Sequence, residues 1–290
     1  MYVDNDGWLV NEAGDTAKII KLPRATNYGP LRTTSGKPII FVHHCTATLA
    51  PLGADVSDRD GTAGMAKRVA NGTAKYYAHV YLGRDGQAYQ MVPFTRAAIS
   101  VEGSFKFDVP PEAKGKENNR IAASMEWTGW GGTKDQAKKD LTGRADMKLV
   151  GKWFWQIPTL TQAKAAGEIT KAVVKWSDMD PEAAFYGHKQ IGSGAHADPG
   201  PVILGALDVI GRPMLGLMPR LAENLFPFAS MAVRVGIVAS VAAAKTASQA
   251  VTVLGKSVAS LRRNPVQTAV AGVAGSWLGY LFVQGLRGRR

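Results

Sequence analysis

The run Ile39-Ile40-Phe41-Val42-His43-His44-Cys45 constrains what this chain can fold into more than any other stretch. Four apolar residues in an unbroken row suit a strand buried on both faces, and such a strand needs cover above and below its sheet. The two histidines fall at or just beyond its end, where side chains can face a cleft. Side chains alternate along an extended chain, so His43 and Cys45 share one face and His44 points to the other. Alternation by itself leaves both histidines open as the inward group.

Around this strand the punctuation predicts a mixed α/β domain with a central β-sheet flanked by helices. Residues 1–37 are polar and broken by glycine and proline, which reads as a short strand or two and a loop wrapping the domain. Thr62 to Ala70 is predicted helical, stopped by Asn71-Gly72. Tyr76 to Leu82 and Gln87 to Val92 read as strands joined by a turn at Gly83-Arg84-Asp85-Gly86. Residues 102–120 and 131–146 read as polar surface excursions, with a strand at Ile121 to Trp127 between them. Leu160 to about Trp176 places Ala165, Ile169, Ala172, Val173 and Trp176 on one helical stripe. The domain is expected to end near residue 205.

A second stretch, Gly187 to Gly200, reads GHKQIGSGAHADPG and is too glycine-rich to be expected as a helix. It offers His188 and Asp198, a nitrogen and a carboxylate ten residues apart. Zinc accepts both donor types, and a catalytic zinc usually has three protein ligands plus water. The pair is one ligand short, and the strand-end histidines are the obvious supply. Glu126, between Met125 and Trp127, is either a surface group on an edge strand or a general base tuned by burial. His79, inside a strand, reads as a structural histidine, and Cys45 as a small buried residue.

Charge sets the tail apart. The chain carries +12, and residues 201–290 hold ten Lys/Arg against Asp208 and Glu223 alone. Such an excess favours an anionic partner: nucleic acid, acidic lipid or an anionic wall polymer. In residues 229–261 the only charges, Arg234, Lys245 and Lys256, recur every eleven residues, close to one stripe of a helix. Residues 264–286 carry no charge and end in the Arg287–Arg290 basic cluster. With Gly275 and Gly279 four apart, this reads as a hydrophobic α-helical tail, 206–290, that anchors in membrane or docks into an assembly. One cysteine excludes an intramolecular disulfide and any multi-cysteine metal site. The acidic start MYVDNDGWLVNEAGD lacks the basic, then apolar, pattern of a secretory signal, so no cleavable signal is expected.

Four segments together resemble the zinc-dependent N-acetylmuramoyl-L-alanine amidases of type 2, whose fold is shared with peptidoglycan recognition proteins and amidase-type phage lysozymes. IIFVHHCTAT resembles the first-ligand strand, AHVYLGRDGQAYQMVP the hairpin after the first helix, ASMEWTG the strand carrying a catalytic Glu, and GHKQIGSGAHADPG the segment of the last two ligands. The resemblance covers roughly residues 20–200. It implies Zn2+ held by His43, His188 and Asp198, with Glu126 as catalytic base. Two departures stand out. Ala78 occupies a position where some members have a catalytic Tyr, and His196 stands where a Lys or Arg commonly stabilises the oxyanion.

The implied reaction is cleavage of the amide between N-acetylmuramic acid and L-alanine of the stem peptide, with peptidoglycan or muropeptides as partner and no nucleic acid. The missing signal and the basic tail fit a phage lysin or virion-associated enzyme, made in the host cytoplasm or carried in a virion and acting at the bacterial wall. Two alternatives are a non-catalytic peptidoglycan-binding module of the same fold, and a membrane or virion structural protein with a vestigial amidase domain.

Overall fold

A computed structural model describes residues 1–24, 29–46, 59–100, 117–129, 131–133, 146–150, 153–191 and 198–217. The chain divides into two compact units, Met1–Phe228 and Ala229–Arg290. The second unit lies outside the described residues, and with it the expected tail helices at 229–261 and 264–286. No helix among the described residues is long and apolar enough to cross a membrane.

The first unit is a mixed α/β domain. Its strands are β1 (Tyr2–Val3), β2 (Leu9–Val10), β3 (Lys18–Lys21), β4 (Ile40–Cys45), β5 (Val80–Leu82), β6 (Gln87–Gln90), β7 (Ala122–Trp127), β8 (Gly131–Thr133), β9 (Met147–Val150), β10 (Trp153–Gln156) and β11 (Tyr186–Gly187). Its helices are α1 (Arg59–Ala70), α2 (Leu160–Ser177), α3 (His188–Ile191), α4 (Gly200–Ala206) and α5 (Arg212–Met214). The main sheet has the order β11-β4-β7-β5-β6-β3. β11, β4, β7 and β5 are mutually parallel, β6 runs antiparallel to β5, and β3 is parallel to β6.

The apolar run lies in β4, one strand in from the sheet edge, and Ile40, Phe41 and Val42 are fully buried. Burial on both faces is what an alternation-free apolar strand demands. On the face carrying Tyr81 and Tyr89, α1 packs through Ala66 and Val69. α2 starts where predicted because Thr159 caps it, its hydroxyl accepting from the Gln162 N–H at 3.0 Å. It stops after Ser177 at Asp178, a left-handed residue with φ 58°. Glu168 of α2 takes the N–H groups of Thr16 and Ala17, which ties the N-terminal segment to the domain.

Several details differ from expectation. Strand β5 begins at Val80 rather than Tyr76, because His79 turns its backbone N–H to the Ser124 carbonyl and its ring to the Ser124 side chain. Strand β8 falls in the 131–146 stretch expected as a surface excursion, and it joins β10 and β9 in a small antiparallel sheet of order β8-β10-β9. The unit also runs past residue 205. Leu207 and Ile210 are buried, and Arg212 makes a two-pronged ion pair with Glu182 at 2.6 and 2.7 Å.

Candidate metal centre

The four parallel strands end along one edge, the usual place for a site in an open α/β sheet. Register decides which side chains meet there. His44 pairs with Glu126, and Glu126 with Tyr81, so these three residues of β4, β7 and β5 project from one face in a row. On the other side of β4, Gly187 pairs with His43, so His188 lies one step beyond, level with His44.

His44, His188 and Asp198 converge, with one ligand atom of each lying within 4.8 Å of the others. His44 Nδ1 is 3.2 Å and His188 Nδ1 3.3 Å from the same oxygen, Asp198 Oδ2. The other carboxylate oxygen, Oδ1, accepts from the Cys45 backbone N–H and so fixes the carboxylate's orientation. A tetrahedral ion with bonds of about 2.0–2.1 Å keeps its ligand atoms about 3.3–3.4 Å apart. The two nitrogen–oxygen separations match that edge, and the donor set of two imidazoles and one carboxylate suits zinc.

Expectation and structure part at His43. Its ring lies on the opposite face, fully buried, with both nitrogens engaged. The Trp127 indole N–H donates to Nδ1 at 3.2 Å, so Nε2 carries the proton and donates to the Ala184 carbonyl at 3.0 Å. A ring with both nitrogens bonded has no lone pair to offer a cation. The correction is therefore to His44, one residue on. The glycine-rich stretch also differs from expectation, since His188 opens the single helical turn α3. A glycine is needed just before it: a Cβ on Gly187 would stand 2.6 Å from Pro199 Cδ.

Glu126 faces the cluster from β7, and its Oε2 is shut off from solvent with no hydrogen-bond partner among the described residues. Burial, and then the charge of Asp198, push its pKa well above the ordinary carboxylate range. Burial also pushes Asp198 up, but hydrogen bonds from His188 and His44 outweigh it and hold the carboxyl below its usual value. His44 is pushed down by burial against the pull of Asp198, and its Nε2 is buried with no hydrogen-bond partner among the described residues. Two imidazoles, an Asp198 held below the usual carboxylate range and an unpartnered carboxyl oxygen of Glu126 together form a cluster suited to a cation.

His79 is structural, as expected. The Ser124 N–H donates to its Nδ1 at 3.1 Å, and its Nε2 donates to the Arg96 carbonyl at 2.9 Å. His196 lies outside the described residues. Tyr81 escaped the sequence reading entirely, because only the β5–β7 register sets it beside Glu126.

The profile of one protein family, N-acetylmuramoyl-L-alanine amidase, matches residues 35–201, more than half of the chain. The chain belongs to this family. The matched range includes His44, His188 and Asp198. Peptidoglycan is the substrate class of the amidase, and hydrolysis of an amide its reaction. No curated protein matches it closely enough to count as a relative. Among solved structures it is similar to a selenomethionine derivative of AmpD, at 20% identity, covering 70% of this chain and 94% of that one with a TM-score of 0.41. It is also similar to a mutant endolysin from Bacillus subtilis, at 18% identity over 63% and 90% of the chains, TM-score 0.37. A third is the complex of tracheal cytotoxin with the ectodomains of peptidoglycan recognition proteins LCa and LCx, at 14% identity over 66% and 94%, TM-score 0.43.

Proposed function

We propose that the amidase is a zinc enzyme that cleaves the bond between the lactyl carbonyl of N-acetylmuramic acid and the L-alanine nitrogen of the stem peptide. The observation that carries this reading is that two imidazole nitrogens meet one oxygen of Asp198 at tetrahedral-edge distance, with the buried Oε2 of Glu126 facing them. His44, His188 and Asp198 would hold the ion, which when bound supplies Lewis acidity toward the scissile carbonyl and an acidified water. The protein's own part is proton traffic and shape. Glu126 takes the proton of the attacking water and returns it to the leaving amine. A cation in the cluster offsets the charge of Asp198 and so draws Glu126 toward the ionised form a base needs. His196 is proposed to donate a hydrogen bond to the oxyanion, a weaker donor than Lys when neutral.

The deciding experiment pairs metal content with muropeptide release on purified peptidoglycan. One equivalent of zinc and release of free stem peptide support the reading. Zinc without release, in wild type as in Glu126→Ala, would instead mark a non-catalytic binding module. The delivery route is part of the same proposal: a phage lysin or virion-associated enzyme acting at the bacterial wall, with the basic 229–290 segment contacting anionic lipid or the particle. Flotation of the full chain with anionic vesicles, against a chain ending at Phe228, tests the lipid contact.

A further inference from the structure

The small sheet β8-β10-β9 touches the segment that carries Asp198 directly and reaches the end of β4 through Gly129. Its central strand, β10, carries Trp155, which is 3% exposed and held between two glycines. A Cβ on Gly131, its register partner in β8, would stand 2.3 Å from Cζ3 of the indole. A Cβ on Gly200 would stand 2.5 Å from Cδ2 and Cε2. Gly200 has φ 78°, so both its backbone conformation and its missing side chain let the ring lie flat against the chain two residues after Asp198. Trp153 stacks on Trp155 with ring centroids 5.9 Å apart and planes 25° apart. The second contact runs through Gly129, which lies against Gln156 of β10 and whose carbonyl accepts from the Cys45 thiol at 2.9 Å.

We propose that Trp155 is a positioning residue for the metal centre: its indole is the seat of the Asp198–Pro199–Gly200 turn, so the accessory sheet sets where the Asp198 carboxylate stands between His44 and His188. A metal site tolerates ligand displacements of only about 0.2 Å, so a support that moves the turn by more than that changes the affinity. An indole suits the task because it is large, planar and has only two side-chain torsions. The inference rests on the proposed metal centre.

The test uses the full-length protein with Trp155→Ala, Trp155→Phe and Gly131→Ala. The last variant presses on the far side of the ring without altering the Asp198 turn itself. Zinc affinity is read by competition with a chromogenic chelator. The ring signals of His44 and His188 are read by NMR on the metal-free, histidine-labelled protein. Trp155→Ala and Gly131→Ala should weaken zinc binding by about 10–100-fold and shift both histidine signals, while Trp155→Phe restores most of the affinity. If Trp155→Ala fails to fold, Gly131→Ala decides. Wild-type zinc affinity and unmoved histidine signals in the folded variants would overturn the inference. Absence of zinc binding by the wild type, with histidine signals that still move in the variants, would overturn the metal reading and leave the seating of Asp198 supported.

Discussion

His44 Nδ1 and Asp198 Oδ2, 154 residues apart in sequence, stand 3.2 Å from one another at the carboxyl end of β4. Their neighbour His43 points the other way and bonds to Trp127 and Ala184. Adjacent histidines therefore have separable roles. His44→Ala should abolish stoichiometric zinc binding with the fold intact. His43→Gln should keep zinc but lower stability by about 1–3 kcal/mol, the cost of leaving buried polar partners unmatched. Metal analysis alongside urea unfolding distinguishes them, and zinc loss from His43→Gln alone would reverse the assignment.

Glu126→Gln should lower kcat by about 10²–10⁴-fold with zinc retained, the usual loss for a proton-transfer group. The same substitution has an opposite effect on stability. The folded-state pKa of Glu126 is raised, so in the metal-free protein its contribution is present below the ordinary carboxylate range and lost as pH rises through the raised value. Metal-free Glu126→Gln should therefore melt higher than metal-free wild type at pH 8, with the difference vanishing at pH 4. Equal melting temperatures at both pH values would contradict the burial of an unpartnered carboxyl.

Acid should destabilise the domain through its buried histidines. Burial lowers His43 to about 3 and His79 to about 4, from an unfolded value of 6.5. A depressed histidine contributes stability that is present above the unfolded pKa and lost as pH falls toward the folded one. Between those limits each such group adds a slope of about 1.4 kcal/mol per pH unit. The slope of unfolding free energy between pH 6 and pH 4.5 should be shallower by about that amount in His79→Gln. Urea titrations at four pH values measure it.

Truncation should respect the packing of residues 206–217. A chain ending at Phe228 should fold, whereas one ending at residue 205 loses Leu207, Ile210 and the Arg212–Glu182 pair. Burial of each aliphatic side chain is worth about 1.5–3 kcal/mol, so the shorter chain should unfold several kcal/mol more easily. Comparable denaturant midpoints for the two would show that the added turns contribute nothing.

Much of this was legible in the sequence because it is locally written. The apolar run of β4, the start of α2 at Leu160 and the Gly-Arg-Asp-Gly turn each name their own conformation, and His188, Asp198 and Glu126 stood out as polar groups in settings that need a reason. The choice between His43 and His44 was not local. It depends on which face of β4 lies beside Glu126, which is fixed by a parallel register across strands about eighty residues apart, and by a tryptophan that occupies the ring of the wrong histidine. Tyr81 was hidden for the same reason. The small sheet was missed because only short strands such as Met147–Val150 and Trp153–Gln156 build it, with no long alternating run to announce them.

The pairing of β11 with β4 has a temporal consequence. Gly187 joins the sheet beside His43 long after β4 and β7 have been made, and His188 and Asp198 follow it. A ribosome that has released the chain as far as residue 180 has produced Glu126 and His44 on strands whose β11 edge is still open. The cluster of His44, His188 and Asp198 therefore cannot assemble until β11 and the segment after it have been made.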